Sequence, residues 1–546
     1  MIPIVTPDTM RALEQQVMDT SVTELDLIQR AATQIANYLD RSISSKGMNP
    51  RSLLAVAGPG NNGVDALVAA AMLASRGWEV YALLVDRKGL SELPLSDDLV
   101  SGIQLVTEVP EVDVILDGIF GNSGRIDLPD TVTSALEKIA EAIRSNSPPL
   151  VVAVDCPTGT NTLTGEVASS ILSADVTLCI SNPKIGMLRT PAIEHLGQLE
   201  VLDIGIRTAD VDPEVRAAII DAGHVRSNLV SRSVGAHKSQ VGGLLIVGGA
   251  PGYYGAPRLA GEAALRAGCG YVGLAIPRSI VGAIASAVPE LIFHPTSDSD
   301  GRRSATTVRE ALSKSSRYDA IVIGPGLGRD EVASALLSEL FDSHAGAAIE
   351  AAPSSAFGIP RRTARPEAEN ETNLSAYPLV LDADALNWLS EQDDWPSLLQ
   401  GKTCVLTPHV GEMARLLGVE PEDVSSDPWT VARTAAADWG QVVVLKSQLT
   451  CVAKPEGDVV VAPRPTPELA TPGTGDVLSG LIGAFIAQGS AVADGAAIAL
   501  YVGAMSGKMA LTKHGARSVI ARDVIDGVSR VLRDLESPTR ARLAAA

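Results

Sequence analysis

Short runs of unbroken apolar residues, each closed by a glycine-rich or acidic loop and followed by a segment of helical spacing, recur along the whole chain. In the first part they are LLAVA (53–57), EVYALLVD ending at Asp86, VDVILDG around Asp117 and LVVAVD ending at Asp155. A strand that is apolar at every position is buried on both faces, as in a parallel sheet covered by helices on each side. The alternation returns later with GGLLIVGG, YVGLAI, AIVIGPGLG (320–328), LVLDADALN (379–387), TCVLTPHVGEM (403–413) and VVVLKSQLT (442–450). Residues 6–39 read as two helices, with Thr6-Pro7-Asp8 as cap and first turn. Residues 478–505 are alanine-rich and apolar, but Gln488, Gly489, Ser490 and Asp494 interrupt them, which fits two buried helices better than a membrane span.

The α/β pattern thus occurs twice. A stretch without strand pattern separates the two, so the expected organisation is a three-layer α/β/α domain over 1–212, a linker over 213–234 and a second three-layer α/β/α domain over 235–536. Residues 343–378 are rich in Ala, Pro, Ser, Glu and Arg with no apolar period, and read as a mobile surface insertion.

Composition narrows the functional classes. With 44 basic against 64 acidic residues the net charge is −20, which argues against a nucleic-acid surface, and aromatics at 3% provide no stacking platform. A phosphate ligand must then be held locally, by loop amides and a few lysines. The five cysteines are scattered without a C-x-x-C pair, as expected of buried thiols in a reducing compartment, and the first residues lack the pattern of a signal peptide. A cytoplasmic protein without a membrane partner is expected.

Two regions carry candidate chemistry. In LATPGTGDVLSGLIG (469–483), Gly473, Thr474 and Gly475 precede Asp476 and an apolar helix. Unpaired amides at a helix N-terminus suit a phosphoryl group, and a carboxylate aimed at that group suits a base that takes a proton from an attacking hydroxyl. In the first domain the loop GPGNNGVD follows a strand and opens a helix, the start of a Rossmann-like unit. Gly58, Gly60 and Gly63 with Asp86 match a dinucleotide fingerprint, yet Asn61, Asn62 and Asp65 crowd the loop with polar groups that a dehydrogenase usually lacks. Asn62, Asp117, Asp155 and Thr158 lie at strand ends and are expected to converge beyond the sheet.

The motifs NNGVDALVAA, DGIFG, VDCPTG and NPKIGML resemble the epimerase domain of the bifunctional NAD(P)H-hydrate repair enzymes. The set HK…GGAPGYYGA, GPGLG, LDADALN, TPHVGE and GTGD is similar to the ribokinase-like, ADP-dependent NAD(P)H-hydrate dehydratases. The first resemblance implies that Asn61, Asn62, Gly63, Val64, Asp65, Gly121, Asn122, Ser123, Gly124, Arg125, Ile126, Asp127 and Asp155 line a pocket for the hydrated nucleotide, and that Asn62, Asp117 and Thr158 hold potassium. The second implies that Ala256, Gly326, His409 and Asp476 contact the hydrated nucleotide. It also implies that Lys446, Ser447, Gln448, Leu449, Thr450 and Gly475 bind the adenine nucleotide, with magnesium. Departures from the family pattern are Val64 and Ala66 for glycines, Thr158 for serine, Val410 for proline and Ser447 for glycine.

The implied activity is nicotinamide nucleotide repair. One half interconverts the R and S hydrates of NADH and NADPH, with Asp155 as the catalytic carboxylate. The other dehydrates the S form at the expense of ADP, with Asp476 as base. The partners are these small molecules, and a homo-oligomer is expected. Two other readings stay open at this point: a vitamin or sugar kinase fused to a nucleotide-binding module, and a non-enzymatic nucleotide sensor.

Overall fold

The computed structural model describes residues 1–20, 22–44, 51–90, 100–122, 124–144, 147–206, 212–232, 235, 237, 241–313, 317–341 and 374–536. Two compact units divide the chain, Met1–Ile219 and Ile220–Ala546.

In the first unit a two-residue strand β1 (Ile2–Pro3) precedes β2 (Ser52–Ala57), β3 (Glu79–Leu84), β4 (Ile103–Val106), β5 (Val114–Gly118), β6 (Leu150–Val154), β7 (Val176–Ile180), β8 (Gln198–Leu202) and β9 (Ala217–Ile219). The main sheet runs β4-β3-β2-β5-β6-β7-β8, and each neighbouring pair is parallel. Alternate residues of β2 explain the three layers. Leu53, Ala55 and Ala57 pack with Ile35, Leu39, Leu67 and Ala70 of the helices Glu24–Ser44 and Asn61–Ser75, whereas Leu54 and Val56 pack with Val132, Leu136 and Ile139 of the helix Asp130–Ile143. Each large side chain so buried contributes about 1.5–3 kcal/mol. Strand order reverses between β2 and β5, which opens a crevice at their carboxyl ends.

The second unit contains β10 (Gly243–Val247), β11 (Tyr271–Pro277), β12 (Ile292–Thr296), β13 (Ala320–Ile323), β14 (Leu379–Leu381), β15 (Cys404–Leu406), β16 (Val442–Leu445), β17 (Cys451–Ala453) and β18 (Val459–Val461). They follow the order β18-β17-β16-β15-β14-β13-β10-β11-β12, parallel except for the antiparallel β16-β17-β18 end. The switch point lies between β10 and β13. One face is covered by the helices Gly301–Ser313 and Glu331–Phe341, and the opposite face by the helix Thr474–Ala487, whose Gly483 faces Leu244 and Val322.

Residues 478–505 form parts of two helices, Thr474–Ala487 and Val492–His514, broken at 488–491 where the apolar pattern is interrupted. Among the described residues no helix is long and apolar enough to cross a membrane. The expected linker is in part regular structure: Ala217–Ile219 forms β9, antiparallel to β1, and Ala222–Asn228 is a helix capped by Asp221. A three-residue strand is too short to show a period, which hides it in the sequence. Of the expected insertion 343–378, residues 343–373 lie outside the described residues. Its last residues are not surface loop, because Leu374 and Tyr377 are buried in the core beside β14.

Candidate active sites

The crevice of the first unit holds a cavity of about 380 Å³. The helix Asn61–Ser75 starts after Gly60 without a side-chain cap; the Gly63 amide donates to the Gly60 carbonyl at 3.1 Å, and the Asn61 and Asn62 amides have no intrahelical acceptor. Asn61, Asn62, Asp65, Gly121, Asn122 and Asp155 line the cavity. Gly121 is held to glycine by its neighbours: a Cβ there would lie 2.9 Å from Asn62 Oδ1 and 3.2 Å from Asp155 Oδ2. Asp155 itself has a left-handed backbone (φ 66°), a strained conformation kept at a strand end that faces the site.

Lys184 is the residue that organises this acid cluster. It is buried, 1% exposed, and its Nζ donates to Asp155 Oδ1 at 2.5 Å and to the Ile180 carbonyl at 3.3 Å. Burial alone would lower its pKa, but the Asp155 carboxylate beside it holds it above the ordinary lysine range. Asp65 is pushed well above the usual carboxylate range by burial, then by Asp155 and Glu14. Its Oδ1 and Asn62 Nδ2 are buried without a hydrogen-bond partner, an arrangement that suits groups waiting for a ligand.

Asp117 is also buried. Its Oδ1 accepts from Thr158 Oγ1 at 2.6 Å and its Oδ2 from the Thr158 amide at 2.9 Å, while burial raises its pKa against these bonds. Thr158 Oγ1 in turn accepts from the Phe120 amide. Asn62 lines the cavity, and Asp117 and Thr158 stand behind the loop that follows β5. Oxygen donors around a carboxylate of raised proton affinity fit a hard monovalent cation.

In the second unit, Asp476 stands in the first turn of the helix Thr474–Ala487, after Gly473 in a left-handed conformation (φ 91°). Thr474 directs its hydroxyl to the Leu469 and Thr471 carbonyls and its amide to Thr471. The Gly475 and Asp476 amides are first-turn donors with no intrahelical acceptor. Burial and then Asp382 raise the Asp476 pKa to about 7, with Lys446 opposing and Asp384 adding. Lys446 Nζ donates to Asp382 Oδ1 at 2.9 Å and lies 3.7 Å from Glu412 Oε2. Asp382 also accepts from Thr407 Oγ1 at 2.7 Å.

His409 caps the helix Val410–Leu417: its Nδ1 accepts from the Glu412 amide, while its own amide donates to Glu412 Oε2. Burial, then Lys446 and Arg415, lower its pKa to about 4, so the imidazole is neutral at neutral pH. Gly326 (φ 61°) and Ala256 are adjacent, since a Cβ on Gly326 would be 3.0 Å from Ala256 Cβ. The Gly328 amide donates a hydrogen bond to Asp384 Oδ2 at 2.9 Å, which ties that loop to Asp384.

With this geometry in view, comparison with known proteins decides the family. The NAD(P)H-hydrate dehydratase family model matches residues 244–353 and 357–530, and that of the YjeF-related protein N-terminus matches 24–186. The bifunctional NAD(P)H-hydrate repair enzyme Nnr of Moorella thermoacetica is 31% identical, covering 96% of this chain and 95% of its own. The chain belongs to the bifunctional NAD(P)H-hydrate repair enzyme family. The Salinibacter ruber member is 32% identical, with 97% and 96% covered, and the Gloeobacter violaceus member 33%, with 85% and 84% covered. A solved ADP/ATP-dependent NAD(P)H-hydrate dehydratase from Bacillus subtilis, co-crystallised with ATP/Mg2+ and soaked with CoA, is 25% identical. It covers 58% of this chain and 98% of its own, with a TM-score of 0.45.

Not every residue carried over from the repair-enzyme pattern reaches a cavity. Gly63 is buried against Gly58, where a Cβ would meet the carbonyl at 2.2 Å, and Val64 packs on the helix–sheet core. Gly124, Arg125, Ile126 and Asp127 do not line the cavity; Arg125 stacks over Phe120, which does. Ser123 lies outside the described residues. Lys446 follows β16 directly, and Ser447, Gln448, Leu449 and Thr450 complete the connection to β17, where Leu449 is a core side chain and the Ser447 hydroxyl donates to its carbonyl. Asp86 accepts from Thr131 and does not line the cavity, which removes the dehydrogenase reading of the glycine fingerprint. Four functional side chains were not singled out from the sequence: Glu14, Lys184, Asp382 and Glu412. Lys184, Asp382 and Glu412 stand inside the motifs NPKIGML, LDADALN and TPHVGE, but no motif tells which partner a residue faces.

Proposed function

We propose that the protein repairs hydrated NADH and NADPH: the first unit interconverts the R and S hydrates, and the second dehydrates the S form with ADP, releasing AMP and phosphate. The family supports this pair of activities over a vitamin or sugar kinase or a nucleotide sensor. The observation that carries the dehydration is Asp476, a carboxyl tuned to about 7 at a helix N-terminus with Lys446 and Asp382 behind it. Near pH 7 such a group exists in comparable amounts as acid and base, which is the condition for efficient proton transfer.

The chemistry follows from the leaving group. Hydroxide leaves the hydrated ring poorly, whereas phosphate leaves readily once the ring nitrogen lone pair pushes, and loss of a proton from the adjacent ring carbon to solvent then restores the ring double bond. Asp476 takes the hydroxyl proton as that oxygen attacks the β-phosphorus of ADP. The Gly475 and Asp476 amides and the Lys446 ammonium stabilise charge on the transferring group. Neutral His409, with Ala256 and Gly326, bounds the nicotinamide side, and the hairpin 446–450 the adenine nucleotide. Magnesium would arrive with the nucleotide phosphates and would neutralise charge on the transferring group. Asn62, Asp117 and Thr158 would hold potassium in the first unit, where it would supply positive charge behind the crevice loops. The protein works in the cytoplasm as a homo-oligomer.

The test is direct. Purified protein is given the mixed hydrates and ADP, and the absorbance of reduced nicotinamide is followed. Complete recovery is the expected result. A stable phosphorylated product without recovered absorbance would return the second unit to the kinase reading.

A further inference from the structure

The cavity of the first unit is bounded by acids from separate elements. Asp155 follows the carboxyl end of β6 and Asp65 stands in the helix Asn61–Ser75, while Glu14 comes from the helix Pro7–Met18, which precedes the first strand of the main sheet and contributes Arg11, Glu14 and Met18 to the lining. Glu14 accepts no hydrogen bond among the described residues and is only partly exposed, so its carboxyl is free to meet a ligand. Resting on the epimerase reading above, we propose that Glu14 is a second acid–base catalyst of hydrate interconversion, acting with Asp155.

Inversion at a carbon that bears a hydroxyl beside the ring nitrogen requires two proton transfers on different faces. On one face the hydroxyl oxygen gains a proton from the Glu14 carboxyl as its bond to carbon breaks and the nitrogen lone pair forms a C=N double bond, releasing water. On the other face a water gives a proton to the Asp155 carboxylate while its oxygen bonds to carbon and the double-bond pair returns to nitrogen. The reverse reaction exchanges the roles, and solvent protons restore both carboxyls, so no oxidant or reductant is needed. A single carboxylate from the sheet edge reaches only the face turned toward it. Burial raises the Glu14 pKa, Lys184 opposes this and Asp155 reinforces it, a balance that favours a proton donor.

The experiment uses full-length Glu14→Gln and Glu14→Asp proteins, with the R and S hydrates resolved by chromatography in water enriched in oxygen-18. Glu14→Gln is isosteric and should fold, which its melting curve checks. It is expected to lower kcat for interconversion about 100-fold with KM little changed, and Glu14→Asp to recover part of that loss. The wild type should incorporate solvent oxygen at the rate of interconversion. Interconversion by Glu14→Gln within threefold of wild type, or retention of the original oxygen, would overturn the proposal. A wild-type protein that leaves the hydrates at their spontaneous rate would instead remove the epimerase reading itself.

Discussion

At the scale of single residues, two charge pairs dominate. Asp476→Asn keeps the shape of the side chain but cannot accept a proton. Dehydration is therefore expected to fall at least 100-fold in kcat, with ADP affinity within a few-fold, measured by turnover and by calorimetric titration. The wild-type rate should rise with pH through about 7 as the carboxyl ionises. The same shift has a stability sign. A carboxyl whose folded pKa lies above its unfolded value binds more protons folded than unfolded between about 4 and 7, so stability falls as pH rises through that window. Asp476→Asn lacks this loss, and its melting temperature should gain on wild type between pH 5 and pH 8. A gap that stays constant across that range would contradict the tuned carboxyl. In the first unit, Asp155→Ala leaves Lys184 charged and buried without its partner, at a cost of about 3–5 kcal/mol. Adding Lys184→Met should restore most of the stability but none of the interconversion. Asp476 was legible in the sequence because loop, carboxylate and helix are contiguous. The pairs Lys184–Asp155 and Lys446–Asp382 were not, because 29 and 64 residues separate their members.

At the scale of elements, the helix Thr474–Ala487 serves two purposes with different glycines. Gly480 lets it lie against the helix Gly255–Arg266, since a Cβ there would approach the Ala260 carbonyl oxygen to 2.2 Å. Gly475 faces the site, and a Cβ on it would sit in ordinary contact, 3.5 Å from Lys446 Nζ. Gly480→Ala is thus expected to destabilise the second unit by about 1–3 kcal/mol through forced displacement of a packed helix. Gly475→Ala should leave the melting temperature nearly unchanged while weakening nucleotide binding at least tenfold, because the methyl group occupies the approach to the first-turn amides. Denaturant titration and nucleotide binding on both variants separate the two roles; equal losses of stability would remove the distinction. The alternating strand and helix order was readable because strands apolar at every position can only be central ones. The short β9 and the buried end of the 343–378 stretch were not, since three to five residues carry no period and their burial is set by the rest of the unit.

At the scale of the molecule, each unit has its own set of parallel strands, its own switch point and its own acid–lysine pair, so each proposed chemistry draws on groups of one unit. On the proposed mechanism only one configuration of the hydrate aligns its hydroxyl with Asp476, and the other form must first be inverted. If the hydrate passes between the two activities through solution, they need not reside on the same polypeptide. The Asp155→Ala, Lys184→Met protein retains an intact second unit and should recover only the S hydrate, leaving the R form to its slow spontaneous inversion. Asp476→Asn retains an intact first unit and should interconvert the two hydrates while producing almost no reduced nucleotide. An equimolar mixture is then expected to recover both forms completely, at a rate that rises with the concentration of whichever protein is limiting. The measurement is nicotinamide absorbance over time, with the R and S hydrates resolved by chromatography at intervals. A mixture that recovers no more than the first protein alone would mean that the two activities depend on each other within one chain, and that the separate assignment of Asp155 and Asp476 to self-sufficient sites is wrong.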